Sequence, residues 1–159
     1  MPVPRTIVDW ALEVLALASL VSLLGLVAGY WTQLPERIPT HFGASGRPDG
    51  WGGRSMLLLL PLVTLVMYGT LTLVGQFPQH FNYTWRITPE NALAQYRAAR
   101  RLLSSLKLIL VSMFTWVAWV TIRAALGGEA SLGGSFFPLV FGSISGVLVA
   151  YLYLSSRLR

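Results

Sequence analysis

Two side chains that could carry acid–base or binding chemistry, His41 and Asp49, lie close together in a segment rich in proline and glycine. Residues 34–54 read LPERIPTHFGASGRPDGWGGR, with three prolines and five glycines. Arg47-Pro48-Asp49-Gly50 is typical of a reverse turn, because proline fixes φ and glycine tolerates unusual backbone angles. This turn would let Asp49 face His41 and hold one histidine tautomer. Two interpretations stay open: a binding or active site, and a pair that only fixes the shape of the loop.

His41 and Asp49 do not by themselves complete a metal site. The chain has two histidines and no cysteine, whereas a zinc site normally has at least three protein ligands. The second histidine, His80, is predicted at the opposite membrane face. Phosphate-binding, GxSxG and HExxH motifs are all missing from the sequence. The sequence therefore predicts no metal and no cofactor, and nothing besides the net charge of +6 points to a nucleic-acid partner.

The composition predicts a membrane protein, and the lipid bilayer is the first expected partner. Of 159 residues, 54% are hydrophobic and 11% are charged, whereas soluble domains average about 25% charged residues. Four apolar stretches have about the 20 residues that a spanning helix needs. We predict an all-α fold, a single transmembrane domain over residues 1–159 that forms an integral membrane four-helix bundle, with an ordered outer loop between helices 1 and 2. The predicted helices are 10–31, 55–77, 89–126 with a cytoplasmic extension, and 135–154.

The basic residues predict the orientation in the cell membrane. Eight of them fall on one side and four on the other, the smaller set being Arg37, Arg47, Arg54 and Arg123. Because cytoplasmic loops carry the excess of lysine and arginine, both termini are expected in the cytoplasm. The loop 34–54 would then face outward.

Three residues inside the apolar stretches are predicted to have structural roles. Glu13 lies about one turn into the first span and Lys107 at a similar depth in the third, and intramembrane charges are usually paired. We expect a Glu13–Lys107 ion pair, with a proton relay as the alternative. Pro61 lies in the second span, where it removes an amide donor from the helix and predicts a kink near the outer end.

The segment also resembles a known family. It contains L-P-x-x-I-P-x-H-F, then G-x-x-D-x-W-G, then a serine and an apolar run ending in proline. This pattern is similar to a bacterial multi-pass membrane domain of unknown function found in the SdpI immunity-protein family, whose named member protects its host from a secreted peptide toxin. The chain looks too short to hold the additional C-terminal SdpI module. The matching positions are Pro35, Pro39, His41, Phe42, Gly46, Asp49, Trp51 and Pro61.

The resemblance implies a non-enzymatic immunity or receptor-type role, with the loop as the face for a peptide or protein partner. The predicted loop residues are those matching positions other than Pro61, together with Arg54. The alternative is a small membrane enzyme or transporter that uses His41 and Asp49 near the outer surface. The sequence leaves open whether the chain is an enzyme and whether it forms a homo-oligomer.

Overall fold

A computed structural model describes residues 3–129 and 131–158. The chain is mostly helical, with a small sheet inserted between the first two long helices. The elements are α1 (Ile7–Tyr30), β1 (Arg37–Phe42), β2 (Pro48–Gly53), α2 (Leu59–Val74), α3 (Ala92–Ala125) and α4 (Phe136–Arg157), with 3₁₀ turns at Trp31–Gln33, Arg54–Leu58 and Pro78–His80.

Four helical stretches are long and apolar enough to cross a membrane. They are Ile7–Gln33, Arg54–Val74, Ala92–Ala125 and Phe136–Arg157. The predicted number of candidate spans is therefore confirmed, and this number indicates a multi-pass membrane protein. The single-domain prediction, residues 1–159, includes residues 1, 2, 130 and 159, which lie outside the described residues.

The prediction of an all-α fold needs one correction. The segment predicted as an ordered outer loop forms an antiparallel hairpin, in which Arg37 pairs with Gly53, Pro39 with Trp51 and Phe42 with Pro48. The register is irregular around His41, where a bulge shifts the pairing. Bulges re-aim side chains and are common near functional sites.

α3 is the central helix, and α1, α2 and α4 all pack against it. Its 34 residues span about 51 Å at 1.5 Å per residue, which exceeds the roughly 30 Å of a bilayer core. The predicted start at residue 89 is early by three residues, because a turn precedes the helix. In that turn the Asn91 side chain accepts a hydrogen bond from the Thr88 amide at 2.9 Å.

Pro61 lies in the first turn of α2, directly after a 3₁₀ turn. Amide donors in the first turn of a helix have no intrahelical partner, so proline costs little there. The α-helix therefore begins just before Pro61, where the chain changes from 3₁₀ to α geometry, and the kink near the outer end stays a prediction.

The apolar core lies at the hairpin end of the helices. Its buried members come from α1, β1, α3 and the segments flanking the hairpin: Leu23, Val27, Leu34, Ile38, Leu57, Ala118 and Ile122. Burial of Ile38, which is 1% exposed, attaches β1 to the helices. The hairpin is thus positioned by hydrophobic packing, with its polar side chains left toward the outside.

Candidate functional site

His41 and Asp49 meet on the exposed side of the hairpin. The Nδ1 atom of His41 and the Oδ1 atom of Asp49 form a hydrogen-bonded pair. Their side chains are 71% and 55% exposed, respectively, so the pair is accessible to a ligand from solution. An Nδ1 partner leaves Nε2 of His41 as the ring nitrogen that is free to contact another molecule.

Glycines leave the space that this pair occupies. A Cβ atom on Gly50 would come within 2.9 Å of the His41 Cβ atom, and one on Gly43 would come within 2.7 Å of an Asp49 carboxylate oxygen. Gly50 was named only as the last residue of a predicted turn, and Gly43 was not singled out. The clue was the high glycine content of the segment, but the positions that mattered depend on the strand pairing.

The tip of the hairpin is closed by a left-handed glycine and joined to the α3–α4 loop. Gly46 has φ +74°, a conformation that L side chains rarely adopt. Its amide donates to the Gly43 carbonyl at 2.8 Å, and its own carbonyl accepts from the Leu132 amide at 2.8 Å. Gly46 therefore fixes both the turn and the docking of the hairpin onto the neighbouring loop.

The remaining predicted loop residues have different environments. Pro39 is buried and Phe42 is half-buried, whereas Pro35 is exposed. Trp51 is 50% exposed, and the Arg54 guanidinium lies 5.5 Å from the centre of the Trp31 ring. Only part of the predicted set therefore surrounds His41, and the rest attaches the hairpin to the helix ends.

An apolar cleft of 320 Å³ lies beside His41. β1 forms one wall, and α2, α3, α4 and the segments flanking α2 and α4 form the others. Its polar lining side chains are Thr40, His41 and Thr121, and its apolar ones include Leu57, Leu60, Met113, Val117, Leu132, Phe136 and Phe137. Ligand sites are commonly of this size and kind, mostly apolar with a few polar groups that set orientation.

Glu13 and Lys107 lie far from this site, near the opposite end of the helices, and the structure brings them together. Lys107 Nζ donates to both Glu13 carboxylate oxygens, at 2.8 and 2.7 Å, and to Thr72 Oγ1 at 2.8 Å. The Tyr68 hydroxyl donates to Glu13 at 2.8 Å. Neither Thr72 nor Tyr68 was predicted as a partner, because both lie on α2, whose rotation about its own axis the sequence does not reveal.

A second ion-paired cluster ties the start of α1 to α3. The Asp9 carboxylate caps α1 by accepting from the Thr6 amide at 2.7 Å. Arg100 and Arg101 lie 3.3 and 3.6 Å from the same carboxylate. Both clusters are explained by helix packing and neutralisation of charge.

Outside the helices, the α2–α3 loop is also ordered by polar contacts. The Tyr83 hydroxyl donates to the Pro78 carbonyl at 2.7 Å, and burial raises the pKa of this hydroxyl above its usual value. Across the described ranges, 3–129 and 131–158, no group of three or more His, Asp or Glu side chains could hold a metal ion.

Comparison with known proteins finds one domain model and one relative that match this chain. The domain model described as "Domain of unknown function (DUF1648)" matches residues 18–65, which contain the end of α1, the hairpin and the start of α2. An uncharacterized protein of Archaeoglobus fulgidus is 30% identical over 139 residues, covering 79% of this chain and 75% of that protein. The chain belongs to the same family as this protein. No solved structure matches the chain significantly.

The DUF1648 match and the candidate site coincide. All of the sequence-predicted loop residues, from Pro35 to Arg54, fall inside residues 18–65, whereas Lys107 and the whole of α3 lie outside them. The descriptions of the domain and of the Archaeoglobus relative name no ligand, substrate or reaction.

Proposed function

We propose that the chain is a multi-pass membrane protein that binds an amphipathic peptide at its hairpin end. In this proposal the four helices form one transmembrane domain, a bundle in the cell membrane, and both termini lie in the cytoplasm. The hairpin then faces outward. The His41–Asp49 pair and the cleft beside it form the binding face.

The apolar cleft is the observation that carries the proposal. A cavity of 320 Å³ with 15 lining residues, most of them apolar, suits the apolar side chains of a ligand. His41 stands at its edge with an exposed ring, where it would contact the polar part of the same ligand. A peptide with one apolar and one polar face meets both requirements.

The resemblance to the SdpI immunity-protein family supports a peptide as the ligand. That family's named member protects its host from a secreted peptide toxin, and most of the residues that carry the resemblance belong to the hairpin. An immunity or receptor role is a form of the proposed binding activity. The alternative, an enzyme or transporter, would need further polar groups around His41, and the apolar lining of the cleft favours binding instead.

A fluorescence titration tests the proposal. The chain has no cysteine, so a single Thr40→Cys substitution gives one labelling site at the edge of the cleft. The labelled protein in nanodiscs is titrated with a panel of amphipathic peptides and with scrambled peptides of the same composition. We expect saturable fluorescence changes with amphipathic peptides and none with the scrambled ones.

Matched variants separate the cleft from the membrane surface. Val117→Phe places a larger side chain at the cleft wall, and we expect it to weaken peptide binding about tenfold, the equivalent of about 1.4 kcal/mol. Leu62→Phe makes a comparable addition at an α2 position that is 58% exposed and should leave binding unchanged. Equal affinity for Val117→Phe and wild type, or a panel that gives no signal, would contradict the proposal.

A further inference from the structure

A second groove lies between α3 and α4, at the end of the helices opposite the hairpin. It has a volume of 430 Å³. Its lining residues are Ala94, Arg97, Ala98, Arg101, Leu102, Ser105, Val147, Ala150, Tyr151, Leu154, Arg157 and Leu158. The groove shares no residue with the cleft beside His41, so its role is independent of the proposed peptide binding.

The groove carries positive charge without matching negative charge. Among the residues that the structure describes, three arginines line it and no aspartate or glutamate does. Within residues 3–129 and 131–158, no carboxylate lies within ion-pair distance of Arg97 or Arg157. The Nε atom of Arg97 is buried and lacks a hydrogen-bond partner among the described residues.

The other two arginines are held near the groove by contacts with the protein. Arg157 donates to the Tyr153 hydroxyl at 3.3 Å, and its guanidinium lies 5.3 Å from the centre of that ring. Arg101 reaches Asp9 at 3.6 Å through Nε and leaves its side chain 42% exposed. The cluster is therefore partly preorganised, with two guanidinium groups that have no acidic partner in the part of the chain that the structure describes.

The rest of the groove is apolar and extends along the helices. From Arg97 to Ser105 on α3 the distance is about 12 Å at 1.5 Å per residue, and the wall on α4 runs in parallel from Arg157 to Val147. The side chains between these ends are mostly alanine, leucine and valine. The groove thus has a cationic end and an apolar length that points toward the middle of the candidate spans.

We infer that this groove binds an anionic phospholipid, with the phosphate at Arg97 and Arg157 and an acyl chain along the apolar wall. Guanidinium groups bind phosphate oxygens through two parallel hydrogen bonds, and a partner of this kind would satisfy the buried Nε of Arg97. A free phosphate would leave the apolar length of the groove uncovered. A phospholipid matches the charge and the apolar wall together.

Native mass spectrometry of the delipidated full chain in detergent tests this inference. The protein is titrated with phosphatidylglycerol and, separately, with phosphatidylcholine of the same acyl chains. We expect one phosphatidylglycerol molecule to bind with clear preference. The double variant Arg97→Gln/Arg157→Gln should bind about 30-fold more weakly, because each interfacial arginine contributes about 1 kcal/mol.

Two further variants distinguish the groove from general charge attraction. Arg37→Gln/Arg86→Gln removes the same amount of charge outside the groove and should bind like wild type. Ala150→Trp fills the apolar wall and keeps all three arginines, so it should also lose the phospholipid. Arg97→Lys/Arg157→Lys, which retains the charge, should recover part of the affinity, and circular dichroism checks that every variant is folded.

Five results would overturn the inference. Equal binding of the two lipids would remove the charge recognition. Equal losses in the two double glutamine variants, or full binding by Ala150→Trp, would reduce the effect to surface attraction. Displacement of the lipid by inorganic phosphate would point to a free-anion site. An added mass equal to a second chain, in place of lipid, would make the groove an interface between copies.

Discussion

Lys107 lies inside the helices with only 2% of its side chain exposed, and its charge is balanced by Glu13. We predict that Lys107→Met destabilises the protein by about 3–5 kcal/mol, because it leaves the Glu13 carboxylate without its counter-charge. Thermal and denaturant unfolding in detergent micelles measures the loss.

A double-mutant cycle identifies the cause of that loss. Replacing both members of the pair, in Glu13→Leu/Lys107→Met, should recover most of the stability, since no charge is then left unpaired. If the double variant is as unstable as Lys107→Met alone, the loss comes from packing around α3. If Lys107→Met costs less than about 1 kcal/mol, the pair behaves like a solvated surface ion pair.

Substitution by alanine is expected to have different effects at two glycines of β2, Gly50 and Gly53. A Cβ on Gly50 would meet the His41 Cβ at 2.9 Å, whereas the nearest atom to a Cβ on Gly53 is 3.7 Å away. Gly50→Ala should therefore cost about 1–3 kcal/mol through overpacking and separate His41 from Asp49. Gly53→Ala should leave the pair intact. The His41 ring signals in NMR spectra report the change, and equal spectra for the two variants would contradict the argument.

At the scale of elements, α4 depends on α3 for its position. The buried Gln95 side chain donates to the Ser155 carbonyl at 2.9 Å and accepts from the Ser155 hydroxyl at 2.7 Å. Gln95→Leu should loosen the end of α4, because it leaves these buried groups unsatisfied at a cost of about 1–3 kcal/mol. Hydrogen exchange over residues 147–158 should accelerate. The exposed Gln76, changed to leucine, serves as the control and should not alter exchange there.

The helices could be predicted from the sequence because hydropathy over about 20 residues is a strong signal. The Glu13–Lys107 pair could also be predicted, because the depth of a residue within a spanning helix follows from its position along that helix. The exact ends of the helices could not be predicted, because they depend on local capping. Thr6 and Asp9 start α1 three residues before the predicted boundary, and the turn at Thr88 and Asn91 delays α3.

The hairpin could not be predicted because its strands lack the usual signals. β2 reads Pro-Asp-Gly-Trp-Gly-Gly, and proline, aspartate and glycine are depleted in strands. Pairing with β1 and burial of Ile38 against the helices override these preferences. The sequence did predict the meeting of His41 and Asp49, but the reverse turn predicted at Arg47-Pro48-Asp49-Gly50 is wrong. The chain turns over residues 43–46 instead, and Pro48–Gly53 forms β2. The cleft beside them was not predictable, since it depends on how α2 and α4 pack on α3.

At the scale of the whole molecule, the two ends of the helices differ in chemistry. The hairpin end has the fewer basic residues together with aromatic rings at the helix ends; for example, the Tyr30 and Trp119 ring centres are 6.2 Å apart, and the Arg123 guanidinium lies 5.9 Å from the Trp119 ring centre. The other end has Arg97, Arg100 and Arg101 on the first turns of α3. Aromatic residues with arginine are typical of a membrane interface, and the larger basic set favours the cytoplasmic side.

This asymmetry predicts which end is accessible from outside the cell. Because the natural chain has no cysteine, a single introduced cysteine is the one thiol of the protein that a maleimide can label. Ser45→Cys lies at the exposed hairpin tip, and Gln79→Cys lies in the exposed α2–α3 loop at the other end. In intact bacterial cells, a membrane-impermeant maleimide should label position 45 strongly and position 79 only after permeabilisation. The reverse pattern would put the hairpin in the cytoplasm, where it could not meet an external peptide. Labelling of both positions in intact cells would contradict separation of the two ends by a membrane.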